Sequence, residues 1–166
     1  MKVEFENKNI KYDVIVVLDN IRSVFNVGSI FRTSDAAGIG KVYLCGITAT
    51  PPHPKLQKTA LGSLETVEWE YAKDTLELVK KLKEEGHTIY SIELSENAED
   101  FEAVDYPEGV VLVIGNEIDG VNKEVMEISD KIVQIPMHGI KNSLNVASAY
   151  AIISYEATRK FRKLIR

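Results

Sequence analysis

Three segments of this 166-residue chain set Asn, Gly and Ser against apolar runs. They are Asn20-Ile-Arg-Ser-Val-Phe-Asn-Val-Gly-Ser-Ile-Phe-Arg32, Val113-Ile-Gly-Asn-Glu117 and Ile135-Pro-Met-His-Gly-Ile-Lys-Asn-Ser-Leu-Asn145. A polar group beside buried apolar structure costs free energy unless something hydrogen-bonds to it. Three such junctions in one small chain point to one composite site. In the first, Asn26 and Arg32 are too far apart for a single helical turn. A bend from loop to helix would bring both toward one ligand. Arg32 is either a solvated helix residue or a two-pronged fork for phosphate. In the second, Gly115 allows close backbone approach. Glu117 accepts hydrogen bonds, from a ligand or as the capping acid of a tight turn. In the third, Asn142, Ser143 and Asn145 crowd around Leu144. Either Ser143 or Asn145 caps the next helix, or the loop wraps a ligand with its backbone while Leu144 supplies an apolar face.

The elements that must hold these residues alternate between apolar runs and helical patterns, which predicts an α/β fold with a mainly parallel sheet flanked by helices. Strands are expected at Val14–Leu18, Val42–Cys45, Thr66–Trp69, Thr88–Ile92, Val110–Ile114 and Lys131–Ile135. Val110–Ile114 is apolar throughout, as a strand covered on both faces should be. Helices are expected from Asn26 to Ala37, stopping at Gly38, and from Asp74, a capping residue, to Glu85. A short one follows at Lys123–Ser129, and a last one runs from about Ser143 to the end. Thr50-Pro-Pro-His-Pro54 is expected to be a loop. No linker, repeat or composition shift divides the chain, so residues 1–166 read as a single domain.

Several classes are excluded. No apolar run approaches the roughly 20 residues of a membrane span, and Met1–Asn7 lacks a signal-peptide core, so a cytoplasmic protein is expected. Cys45 is the single cysteine and sits in an apolar run, which rules out an internal disulfide and reads as a buried strand residue. His53, His87 and His138 lie far apart, and no metal site is expected. Neither a phosphate-binding Gly-x-x-x-x-Gly-Lys loop nor a Gly-x-Gly-x-x-Gly turn is present. Trp69 and the tyrosines suit a core or a subunit surface better than a base-stacking array. The net charge of −5 argues mildly against nucleic acid. Its distribution softens that: Glu93 to Glu108 is acidic without a basic residue, and Arg159 to Arg166 is basic without an acidic one. The basic tail either complements a helix C-terminus or touches RNA.

Taken jointly, the three segments resemble the SpoU (TrmH-like) branch of the SPOUT RNA methyltransferases. Asn20–Gly38, with Asn26, Arg32 and Asp35-Ala-Ala-Gly38, is similar to the family's first motif. Val111–Gly120 is similar to the second. Ile135–Ala149, with Ser143-Leu-Asn-Val-Ala147, is similar to the third. The likeness covers about Val14 to Lys160. It implies a C-terminal trefoil knot and a bent S-adenosylmethionine held in it. It also implies a homodimer whose interface completes the site, and a product methylated on a ribose 2′-oxygen of tRNA or rRNA. A separate RNA-binding domain, which some relatives carry, is not expected here. The resemblance puts Arg32 at the catalytic position, with Asn26, Glu117, Ser143 and Asn145 around it. Gly115, Asn116, Ile135, Met137, Ser143 and Leu144 would meet the cofactor. Arg stays protonated at ordinary pH, so Arg32 fits a phosphate clamp better than a base. Two alternatives stand beside this reading. One is a knotted homodimer that binds RNA or adenosylmethionine without methylating; the other is a nucleotide-using α/β enzyme of another kind.

Overall fold

The computed structural model describes residues 9–163. Met1–Asn7 and Arg166 of the basic tail lie outside the described residues. Seven strands form one sheet: β1 (Tyr12–Asp19), β2 (Ile39–Cys45), β3 (Glu68–Ala72), β4 (Ile89–Ile92), β5 (Glu99–Asp100), β6 (Val110–Ile114) and β7 (Lys131–Gln134). Every pairing is parallel, and the spatial order is β3-β2-β1-β6-β4-β7-β5. Parallel strands need crossovers that cover both faces of the sheet. Here α1 (Val24–Ala37), α2 (Pro54–Ala60) and α6 (Val146–Lys163) cover one face, and α4 (Thr75–Glu84) and α5 (Lys123–Ile128) cover the other. The strands divide accordingly. Val14, Val16, Leu18 and Leu112 join the α1–α6 core, while Ile15, Val17, Val111 and Val113 join the α4–α5 core. All five residues of β6 are buried, as its unbroken apolar run predicts. Cys45 is buried too, and burial pushes its thiol up to about 12.

The departures from expectation have local causes. Thr66 closes a one-turn helix, α3 (Ser63–Thr66), instead of opening a strand, and β3 starts at Glu68. The Thr66 hydroxyl donates to Asp35 Oδ1 at 2.6 Å, which holds this β-branched residue in the turn. Residues Thr50–His53 are irregular as expected, but Pro54 then begins α2, its fixed φ suited to a first helical turn. The edge strand β5 spans two acidic residues with no apolar pattern to reveal it. Helix α1 starts two residues earlier than its apolar face suggests, because Ser23 Oγ caps it by accepting from Asn26 N at 3.3 Å. Helix α6 starts at Val146, three residues later than expected. Asn145 is its cap, with Oδ1 accepting from Ala147 N at 2.9 Å and Ser148 N at 3.3 Å.

Candidate active site

The carboxyl ends of β4, β6 and β7 open on one pocket of about 450 Å³. In open parallel sheets, ligands bind beyond these strand ends. Its walls are the end of β4 and the residues after it (Ile92, Glu93, Leu94), those after β6 (Gly115 to Ile118 and Gly120), those after β7 (Ile135, Met137), and the run Asn142–Val146 with Ala149. Gly115, Asn116, Ile135, Met137, Ser143 and Leu144 all line it, as do Glu117 and Asn145. Asn26 and Arg32 do not.

Asn26 nevertheless joins the three segments. Its Nδ2 donates to Glu117 Oε1 at 3.0 Å, and its Oδ1 accepts from Asn145 Nδ2 at 3.2 Å. Glu117 also takes Arg22 N on Oε2 at 2.8 Å and Ser23 N on Oε1 at 3.0 Å. Its carboxylate therefore sits at the amino end of α1, where backbone N–H groups and the helix dipole favour negative charge. Partial burial works to raise its pKa. The donors Arg22 N, Ser23 N and Asn26 Nδ2 outweigh that and hold the carboxyl below its ordinary value. Glu117 is a capping acid, but of the amino end of α1 rather than of its own turn, and it clamps one motif to another at the pocket wall.

Two further residues are shaped by packing. A Cβ on Gly115 would collide with Val121 N and Gly120 C, so the turn Asn116–Gly120 can fold back only over glycine. The Asn116 side chain is committed within that turn. Its Oδ1 accepts from Ile118 N and Asp119 N, and its Nδ2 donates to Asn20 O at 2.7 Å. The oxygen of Asn116 is thus committed to the turn, and one of its two amide N–H groups to Asn20 O.

The third segment behaves differently. Among the described residues, the backbone of residues 136–144 makes no hydrogen bond to the protein, and neither do the side chains of Gln134, Asn142 and Ser143. Backbone donors and acceptors need partners; this loop keeps its own for water or a ligand. Apolar Ile92, Leu94, Ile135, Met137 and Leu144 stand beside them, with Leu144 40% exposed. An apolar slot edged by free backbone groups fits a ligand with a flat ring and polar margins, as an adenosyl group has. Among the described residues no His, Cys, Asp or Glu cluster could hold a metal ion.

Arg32 stands apart. The bend that would turn it toward Asn26 does not form; both lie on the straight run of α1, about 9 Å apart along its axis at the usual rise. Arg32 is exposed and makes no hydrogen bond or ion pair with the described residues. Sequence reasoning missed Glu93, Leu94 and Gln134. Glu93 accepts from Leu94 N and Val121 N, both at 3.0 Å, and so ties the end of β4 to the Asn116–Gly120 turn. The available signal was position alone: all three are at or just past the end of a strand.

These features define a parallel-sheet α/β protein with a pocket at strand ends, built from two of the Asn/Gly/Ser-bearing segments and braced by the third through Asn26. The sequence pattern of the SpoU rRNA Methylase family matches residues 13–155, and the chain belongs to that family. Among its relatives is an Aquifex aeolicus protein named tRNA (guanosine(18)-2′-O)-methyltransferase. It is 38% identical over 149 residues, which are 89% of this chain and 70% of the relative. The crystal structure of the A. aeolicus TrmH/SpoU tRNA modifying enzyme superposes with a TM-score of 0.84 at 35% identity, covering 94% of this chain and 79% of that one. An AdoMet-bound rRNA methyltransferase from Sinorhizobium meliloti also gives a TM-score of 0.84, at 31% identity, with 89% of this chain and 56% of the other covered.

Proposed function

We propose that this protein is an S-adenosylmethionine-dependent RNA methyltransferase that methylates a ribose 2′-hydroxyl of tRNA or rRNA. The observation that carries the reading is the pocket itself. A loop with unpartnered backbone, residues 136–144, closes over the ends of three parallel strands, and relatives of the same fold bind AdoMet or are named for 2′-O-methylation. Those relatives are named as catalysts, which disfavours a binding-only protein. S-adenosylmethionine supplies an electrophilic sulfonium methyl, so the chain needs no metal and no covalent intermediate. Leu144, Met137 and Ile135 offer the apolar contact, and Ser143, Asn142 and the loop backbone offer the polar ones. Asn26, steadied between Glu117 and Asn145, orients the ribose. Arg32 clamps the target phosphate and lowers the cost of the developing alkoxide by its fixed charge.

Arg32 lies outside the pocket of its own chain, which supports a homodimer in which one protomer's Arg32 serves its partner's pocket. The exposed apolar side chains Phe25, Leu144, Ile152 and Tyr155 support the same assembly, since large apolar groups exposed on neighbouring elements mark interfaces. The trefoil knot is supported by the strand order. Strand β7 lies between β4 and β5, so the chain leaving β7 passes the segment that joins those two strands. The whole reading is of a single methyltransferase domain, working in the cytoplasm where tRNA and rRNA are found. Among the described residues no helix is long and apolar enough to cross a membrane.

The test is transfer of tritium from labelled S-adenosylmethionine to total RNA, with the labelled position mapped, alongside calorimetric binding of the unlabelled donor. Binding of roughly micromolar strength, about −8 kcal/mol, is expected. Leu144→Asp should abolish it by setting an unpaired charge against the apolar face. Absence of both binding and transfer would overturn the reading.

A further inference from the structure

The chain's acidity is not spread evenly. Between Ile21 and Ser63 there is one acidic residue, Asp35, against the basic residues Arg22, Arg32, Lys41, Lys55 and Lys58. Asp35 is already engaged, by Lys11 at 3.4 Å and by the Thr66 hydroxyl. Lys41 points elsewhere, paired with Glu68 and Glu70 at 3.1 and 3.0 Å. Arg22, Arg32, Lys55 and Lys58 are exposed, and none makes an ion pair with the described residues.

The basic tail is the opposite case. Arg159 Nη2 is 2.7 Å from Glu156, and Lys160 is 3.0 Å from Asp105 in the acidic segment. Arg162 Nη2 donates to Tyr155 O at 2.6 Å, and its guanidinium lies over the Tyr155 ring. Two of the tail's cations, Arg159 and Lys160, are thus ion-paired locally, and Arg162 is held against Tyr155, while Lys163 is unpaired among the described residues. The larger group of free cations lies on α1, its leading loop and α2. Lys73, Lys123 and Lys141 also make no ion pair with the described residues, but each stands singly on a separate segment.

Two contacts bring the free cations together. A Cβ on Gly28 would strike Thr59 Oγ1, and Asp35 bonds Thr66. The first contact seats α2 against the middle of α1, and the second seats α3 near the C-terminal end of α1. Lys55 and Lys58 are thus carried on a helix packed against α1. At the start of α1, Arg22 N and Ser23 N meet Glu117 at the pocket wall. Unmatched positive charge thus lies on α1, its leading loop and the helix packed on it, in a protein of net charge −5.

We propose that this α1–α2 face is where the RNA backbone lies, with Arg22, Lys55 and Lys58 holding phosphates next to the nucleotide that reaches the pocket. The inference rests on the RNA methyltransferase reading above. Free cations on one face attract a polyanion by releasing its counterions, an effect that does not depend on base sequence.

The test is binding of unfractionated tRNA, measured by anisotropy across a range of salt, for wild type, Lys55→Gln/Lys58→Gln and the opposite-face control Lys81→Gln. Each lost phosphate contact should lower the slope of log K against log salt by about one. The double variant should therefore lose about two in slope and, relative to 1 M salt, on the order of 10²-fold in affinity at 0.1 M salt, with its S-adenosylmethionine affinity unchanged. Lys81→Gln should match wild type. A double variant with wild-type affinity and slope would overturn the proposal, as would a Lys81→Gln variant weakened equally. So would a wild-type protein that methylates RNA with no salt-dependent binding. If wild type transfers no methyl at all, it is the function that fails, and the two failures are read separately.

Discussion

Arg32 and Glu117 carry the sharpest claims at the scale of single residues. If Arg32 works as a phosphate fork, lysine keeps the charge but loses the two-pronged geometry. Arg32→Lys should then lower methyl transfer by about 10²-fold, the usual effect of losing one well-placed electrostatic donor. S-adenosylmethionine affinity, read by calorimetry, should hardly change, because Arg32 is not among the pocket walls. Near-normal turnover of that variant would sink the clamp. Glu117 makes a claim about pH. Its folded-state pKa lies below the ordinary 4.5. Its clamp on α1 is therefore intact above that pH and lost as pH falls below it, when the carboxyl takes up a proton. Wild type should lose thermal stability on acidification more steeply than Glu117→Gln, which has no such proton to gain; parallel melting curves from pH 6 to pH 3 would refute this. Asn116 shows where residue-level reading stops. Its type and place suit a ligand contact, yet its oxygen is taken by its own turn and one amide N–H by Asn20 O. Nothing in a sequence tells which of two partners an Asn side chain takes.

At the scale of elements, apolar runs and capping residues made much legible. The strands β1, β2, β4, β6 and β7 and the helices α1, α4 and α6 all follow from apolar runs, periodicity and caps. What stayed hidden was short: α2, α3 and β5 are too brief to show a period, and tertiary contacts define them. Gly28 is such a contact, the point where α1 meets α2. Replacing it by alanine favours helix by about 1 kcal/mol, whereas forcing a methyl against Thr59 costs about 1–3 kcal/mol. The clash should win, with Gly28→Ala lowering stability by up to about 2 kcal/mol in chemical denaturation. A stabilised variant would mean that Thr59 moves aside freely. The site's geometry was legible only as three polar segments. That Asn26 would knit them, donating to Glu117 and accepting from Asn145, depends on the sheet order bringing residues 91 and 119 positions apart into contact.

For the whole molecule, the position of Arg32 and the exposed Phe25, Ile152 and Tyr155 lead to one expectation, a dimer at micromolar concentration by light scattering. An active monomer would contradict it. Tyr155→Glu should shift the assembly toward monomer and lower activity together, because the proposed site needs both copies. The sheet order has another consequence, in time rather than space. The edge strand β5 pairs only with β7, which is made some thirty residues later. While the chain is being synthesised, Glu99–Asp100 emerge with no neighbour to pair with, and the pocket has neither its β7 wall nor its closing loop. Strands β1, β2, β3, β4 and β6 have their partners by the time Ile114 is made. The sheet is thus completed from its β3 edge toward its β5 edge, and the donor's binding place is among the last parts to exist. Nascent chains halted before Lys131 should be cut by protease within residues 93–108, whereas full-length protein should resist there; equal resistance would show that the edge forms without β7.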